Sequence, residues 1–330
     1  MAREQARSRL TRLLAAAGLA MLFACPARPS APAPSPVTSM TSAAPLAPDP
    51  EMVTRLKADV EHLAAGERNL DHPPSLPQVE KWLTQRLESM DYQVKREEYQ
   101  VEGSQVANLV VEIAGAKPEV VVIGAHYDSA PGTRGADDNA SGVASLLELA
   151  RQLRQDKPEH TLRLVLFVNE EPPWFMTEDM GSLRHARGCK KRGEDIRAMV
   201  ALESIGYFSD EPDSQHFPPG IEGYPTTGNF VGFVGNLSSA ALVSRCKTLF
   251  APSGVAVESL AAPSMIEGVG WSDHWSFWQE GYPAVMLTDT APFRNPNYHR
   301  PSDLPDTLDY HRLAQVTTAM LAVVRGLTGP

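Results

Sequence analysis

Apolar positions along the chain fall into helical stripes and short strand-like runs, and the two kinds of segment alternate. Val53, Leu56, Val60 and Leu63 recur at helical spacing until Gly66. After Ser75 a second stripe runs through Val79, Leu83 and Leu87, with Trp82, Arg86 and Met90 beside it. Tyr92 to Val101 alternates loosely, and Leu109, Val111 and Ile113 alternate again up to Gly115, as strands do. Continuous apolar runs follow at Val120 to Ala125, at Leu162 to Val168, at Met199 to Leu202 and at Pro283 to Thr288. Such runs read as strands of a parallel or mixed sheet buried on both faces. Phe230 to Val234 and Val255 to Leu260 add two more. Helical stripes are predicted at Val143 to Leu153, at Leu242 to Leu249 and at Leu313 to Leu327, with a short amphipathic helix opening at Trp271 to Trp275. This alternation without a second linker predicts a single α/β catalytic domain over residues 51–330, with its chemistry at the carboxyl ends of the strands. Tyr207 to Gly228 has no periodicity and is rich in Pro, Gly and Asp, so it reads as a long loop lining a substrate site.

The first 50 residues differ in kind. Arg3, Arg7, Arg9 and Arg12 precede an apolar run from Leu13 to Ala24 that is too short to span a bilayer, the pattern of a secretory signal over residues 1–25. Leu22-Phe23-Ala24-Cys25 resembles a lipobox, in which Cys25 would carry a lipid anchor; ordinary cleavage is the alternative, because Phe23 is bulky for that place. Residues 26–50, rich in Pro, Ala and Ser, read as a flexible linker. An exported protein follows, periplasmic, held at the outer surface as a lipoprotein, or extracellular. With 30 Lys+Arg against 40 Asp+Glu the formal charge is −10. Loss of the leader removes four arginines and Glu4 and takes it to −13, which excludes an extended nucleic-acid surface. Cys189 and Cys246 then remain, as a bridge or as two separate buried thiols.

The candidate chemistry sits where the strands end. His126 and Asp128 are two apart at the end of one strand, so one can face a ligand while the other supports the imidazole. Asp137 and Asp138 stand before a helix, where alone they would be an ordinary cap. Asn169-Glu170-Glu171 ends a second strand, and consecutive carboxylates on extended backbone point apart. One can hold a metal while its neighbour faces a substrate water. Glu203 ends a third strand, and His299 lies in a Pro-rich loop. Oxygen ligands with two imidazoles form a zinc-type set. Pro172 and Pro173 stop the second strand, and Trp174 and Phe175 after them are either pocket wall or packing.

Taken together, H-Y-D-S, G-A-D-D-N-A-S-G, N-E-E, L-E-S-I-G-Y, W-S-D-H and N-Y-H resemble the di-zinc aminopeptidases of family twenty-eight in the MH clan of metallopeptidases, from about residue 50 to the end. The resemblance implies a mixed, mostly parallel central sheet flanked by helices on both faces. It implies two zinc ions sharing Asp138, one bound by His126 and Glu203 and the other by Glu171 and His299. It makes Glu170 the general base, gives Asp273 and His274 supporting roles beside Asp128, and implies a cis peptide at Asp138-Asn139. The segment Trp174 to Asp179 departs from the family, which more often has a shorter Gly-Leu link there. An aminopeptidase acting on peptides is therefore expected ahead of a carboxypeptidase. A glutaminyl cyclase would use the same scaffold with one zinc. A non-catalytic binding domain predicts lost ligands, and none is missing.

Overall fold

The continuous apolar runs form strands because each sends alternate side chains into two separate cores. In β3 (Lys117–His126), Val121, Ile123 and Ala125 enter one core while Val120 and Val122 enter the other. The same division holds in β5 (Ile196–Glu203), with Ala198, Val200 and Leu202 on one side and Ile196, Met199 and Ala201 on the other. The structure, a computed structural model, describes residues 47–72 and 75–329. The expected signal segment, Cys25 and the linker up to residue 46 lie outside the described residues.

Eight strands make one sheet. β1 (Lys95–Val101) and β2 (Ser104–Ile113) form a hairpin, followed across the sheet by β4 (His160–Phe167), β3, β5, β8 (Ala284–Thr288), β6 (Val231–Asn236) and β7 (Val257–Ala262). β3 pairs in parallel with β4 and β5, and β5 with β8; β6 and β7 are also parallel to each other. β2 against β4 and β6 against β8 are antiparallel. The sheet is thus mixed and mostly parallel, and β3, β4, β5 and β8 present their carboxyl ends side by side. On one face lie α1 (Pro50–Leu63), α2 (Ser75–Glu88), α3 (Gly142–Leu153), α5 (Ala240–Phe250) and α8 (Tyr310–Thr328). On the other are α4 (Gly181–Arg192) and α6 (His274–Gln279), while α7 (Ala291–Arg294) is a single turn.

Three differences from the sequence reading have physical causes. α1 starts at Pro50, inside the expected linker, because Asp49 caps it by accepting from the Glu51 N–H at 3.0 Å. β3 stops at His126, so Asp128 belongs to the loop beyond it. α4 announces itself by no apolar stripe: only Leu183, Ala186 and Cys189 bury apolar side chains in an otherwise basic helix, which Gly193 ends in the left-handed region at φ 68°. Cys189 and Cys246 are both buried and unpaired.

Gly124, two residues before the end of β3, is set by close packing. A Cβ there would lie 2.3 Å from Cε2 of Phe167, a fully buried ring wedged between Phe277 and His185. Gly124→Ala should destabilise the fold by about 1–3 kcal/mol through overpacking. A lowered urea midpoint checks this, and an unchanged midpoint would refute it.

Candidate metal centre

His126 closes β3, and its neighbours come from the ends of β4 and β5 and from two loops. Its Nε2 lies 3.3 Å from Asp138 Oδ1, 3.3 Å from Glu203 Oε2 and 3.9 Å from Glu170 Oε2. On the opposite side of Asp138, His299 Nε2 is 3.0 Å from Oδ2 and 3.1 Å from Glu171 Oε2. Asp138 therefore stands between two imidazoles, one oxygen toward each. His126, Asp138, Glu170, Glu171 and Glu203 are all buried, whereas the His299 side chain is 34% exposed.

This group lacks hydrogen-bonding partners that buried polar atoms normally have. Both ring nitrogens of His126, Asp138 Oδ1 and Glu171 Oε1 are buried without a hydrogen bond. Ligand atoms of His126, Asp138 and Glu171 lie within 4.8 Å of one another, so one cation would satisfy all three. Imidazole nitrogens and carboxylate oxygens are the donor set of zinc and its neighbours in softness. The residues fit the metal that the sequence pattern implies.

The titration behaviour expresses the same shortage of positive charge. Burial, with the charges of Glu203 and Glu171 added and only His126 opposing, drives Glu170 well above the usual carboxylate range. Burial and the charge of Asp138 push Glu171 up to about 7 against the pull of His299. Burial alone would lower His126, yet Glu203 and Glu170 outweigh it and hold the ring well above an ordinary histidine. His299, likewise desolvated, is pushed up to about 11 by Asp138 and Glu171. Asp138 is buried too, but its contacts with His126 and His299 keep it below the ordinary aspartate range.

Other side chains hold the loops. Asp128 lies 3.6 Å from His126 Nδ1, beyond a hydrogen bond, and its oxygens instead accept the N–H groups of Glu170 at 3.2 Å and Glu171 at 3.1 Å. Glu203 accepts from Ser272 Oγ at 2.8 Å and Ser204 Oγ at 3.0 Å. The Asp138-Asn139 peptide is cis, as the motif resemblance implies. Asn139 ties its loop to β5, donating to Leu202 O at 2.8 Å and accepting from Ser204 N–H at 3.1 Å. Asp137 turns away from the imidazoles toward Gly206 N–H at 2.9 Å and Asn295 Nδ2 at 2.8 Å. Asp273 is fully buried, feels the charges of His126 and Glu203, and has no hydrogen bond at either oxygen. His274 departs from its expected support of the centre: it bonds Val269 O at 2.8 Å and packs on Trp278, so its ring serves the core.

Arg68, unremarked in the sequence, is fully buried beneath these loops. It donates to Tyr127 O at 2.9 Å, Leu63 O at 3.0 Å and Gly135 O at 2.9 Å, and also to Arg134 O. The strand that carries His126 and the loop that carries Asp138 are thereby fastened to the end of α1. No local pattern marks such a residue, because all four carbonyls belong to loops or element ends.

Beside Glu203 a solvent-open cavity holds about 780 Å³ of empty space. Phe217, Pro218, Ile221 and Tyr224, from the aperiodic segment 207–228, form part of its wall with Phe230, Met286 and Phe293, and Ser204 and Tyr298 stand at the end nearest Glu203. The Tyr298 ring stacks on His299 with centroids 4.0 Å apart. Trp174 packs against the main core and neither it nor Phe175 lines the cavity, so packing is the outcome for Trp174.

Known proteins agree with this geometry. The profile of Peptidase family M28 matches residues 108–324. The chain is 37% identical to the uncharacterized protein YfbL of Escherichia coli strain K12, covering 78% of this chain and 82% of that one. Leucine aminopeptidase 1 of Metarhizium robertsii is 27% identical over 63% of this chain, which spans about half (51%) of that relative's length. Among solved structures, a Zn-dependent exopeptidase from Parabacteroides distasonis superposes with TM-score 0.62 at 17% identity, over 84% of this chain and 98% of the other. A glutaminyl cyclase from Fimbriiglobus ruber does so with TM-score 0.63 at 20% identity, over 84% and 98%. Both likenesses establish the zinc-exopeptidase fold. With two-thirds of its length matched by the family profile and its polar groups gathered as such an enzyme needs, the chain belongs to peptidase family M28 and is a metallopeptidase.

Proposed function

We propose that this metallopeptidase is an exported aminopeptidase that uses two zinc ions to remove bulky apolar residues from the amino terminus of peptides. The observation that carries the reading is Asp138 standing between His126 and His299, 3.3 Å from one ring and 3.0 Å from the other. His126 and Glu203 would hold one ion, Glu171 and His299 the other, and Asp138 would be shared. Zinc held there supplies Lewis acidity, which makes a water nucleophilic near neutral pH and polarises a scissile carbonyl.

The proton work falls to Glu170. Asp128 fixes its backbone, and its carboxyl stays 3.9 Å from the nearest imidazole, free of the tighter contacts that engage Glu171 and Glu203. Glu170 takes the proton of the attacking water and hands it to the leaving amine. The cavity beside Glu203 receives the side chain of the residue being released and shields it from water. Among the described residues no Lys, Arg or His lines this cavity, whereas Glu203, Glu258 and Glu267 do. A free α-amino group is thus matched by charge, and the α-carboxylate of a carboxypeptidase substrate is not. Glutaminyl cyclases share the fold, but a glutamine carboxamide would enter a largely apolar wall with few partners. Export, with Cys25 as the candidate lipid anchor, is supported by the Arg-rich start and the short apolar run behind it.

Glu170→Gln should lower kcat by at least about 100-fold while zinc content stays at the wild-type level; activity within tenfold of wild type would remove Glu170 as the base. His299→Ala should lower zinc affinity by at least about tenfold, read by competition with a chromophoric chelator. Unchanged stoichiometry and affinity would strike His299 from the ligand set. Offered leucyl and phenylalanyl anilides, their N-acetylated forms and a glutaminyl peptide, the enzyme should hydrolyse only the free-amino anilides; pyroglutamate formation would favour the cyclase reading.

A further inference from the structure

Asp303 lies in none of the motifs that mark the centre, yet it joins two of its loops. It is fully buried, four residues after His299. Its Oδ1 accepts from Asp137 N–H at 2.9 Å and its Oδ2 from Asp138 N–H at 3.2 Å, while its own carbonyl accepts from Ala136 N–H at 3.4 Å. On the other side its N–H donates to Arg300 O at 3.0 Å, within the turn where His299 takes a left-handed φ of 54°. Asp303 thus joins the backbone of Asp137 and Asp138, through its carboxylate, to the turn that directly follows His299, through its own backbone.

The arrangement repeats that of Asp128, whose two oxygens accept the consecutive N–H groups of Glu170 and Glu171. Both clamps use two acceptor oxygens against two adjacent donors, which only a carboxylate can satisfy without turning an N–H toward an N–H. Asp303 differs in what it couples. Asp128 aligns two residues of one loop, whereas Asp303 fixes the separation between Asp138 and His299, which arrive from segments far apart in sequence.

We propose that Asp303 is the positioning residue for the half of the centre formed by Asp138, Glu171 and His299, and that it sets the affinity of that half for its cation more strongly than that of the His126–Glu203 half, which shares only Asp138. The inference rests on the two-ion reading above. Outer partners of metal ligands typically carry about 10- to 100-fold in metal affinity. Asp303→Asn keeps the shape but turns an NH2 toward one backbone N–H, and Asp303→Ala removes both acceptors.

The test is zinc titration of the apo forms of wild type, Asp303→Asn and Asp303→Ala by chelator competition, with cobalt(II) absorption as a second readout and circular dichroism to confirm folding. The expected result is two binding steps in wild type and, in Asp303→Asn, a loss of about 10- to 100-fold in one step, clearly larger than any loss in the other. Activity should then fall mainly in kcat and return as free zinc is raised. Two steps weakened equally, or neither weakened in folded Asp303→Asn, would overturn the role given to Asp303. A single step in wild type would instead overturn the two-ion reading. If Asp303→Ala fails to fold, Asp303→Asn alone decides between these results.

Discussion

Repulsion between carboxylates shut away from water is the constraint around which this protein is built. Asp138, Glu170, Glu171 and Glu203 are buried at the carboxyl ends of adjoining strands with only two imidazoles among them. Left alone, such a group would be expelled to solvent or neutralised by protons. The fold holds it by tying the loops down: Arg68 donates to four carbonyls, Asp128 accepts from two N–H groups and Asn139 ties its loop to β5. What these supports leave over is more negative charge than two imidazoles and two hydroxyls balance, with Asp138 Oδ1 and Glu171 Oε1 buried and unbonded, which suits a cation.

How much of this could be read from the chain depends on whether the cause is local. The strands were legible because a buried strand must be apolar on both faces, and the stretches 120–125, 162–167, 198–202 and 284–287 within β3, β4, β5 and β8 meet that demand except at Arg163. That arginine is retained in β4 by Glu112 at 2.6 Å and Glu194 at 2.7 Å. The residues at the strand ends could be found because polar groups placed directly after such runs have little structural reason to be there. α4 escaped because three apolar residues, Leu183, Ala186 and Cys189, suffice to seat it against β2 and α6. Arg68 and Asp303 escaped for a different reason. Each acts on backbone groups of segments remote in sequence, and backbone groups carry no residue signature.

The supporting scaffold and the chemistry divide cleanly. The sheet and its flanking helices are common to exopeptidases and glutaminyl cyclases, so they settle where a reaction occurs and not which one. The wall of the cavity beside Glu203 comes instead from segment 207–228 and from the turns around Trp271 and Phe293. The segment is tied down by backbone bonds at Ser209 and Gln215 and by Arg294, whose guanidinium binds Gln215 Oε1 at 2.7 Å and Phe230 O at 2.7 Å. An aperiodic stretch can thereby serve as a fixed surface.

The centre is not evenly enclosed. His126 is sealed within the protein, while about a third of the His299 side chain reaches solvent with Tyr298 laid flat against it. Dissolved ions consequently reach the cluster from two sides, at the His299 flank and through the cavity beside Glu203, while His126 between them touches neither the solvent nor the cavity. The two ends of one charge cluster therefore meet the surrounding fluid through different doors, and its middle meets it last.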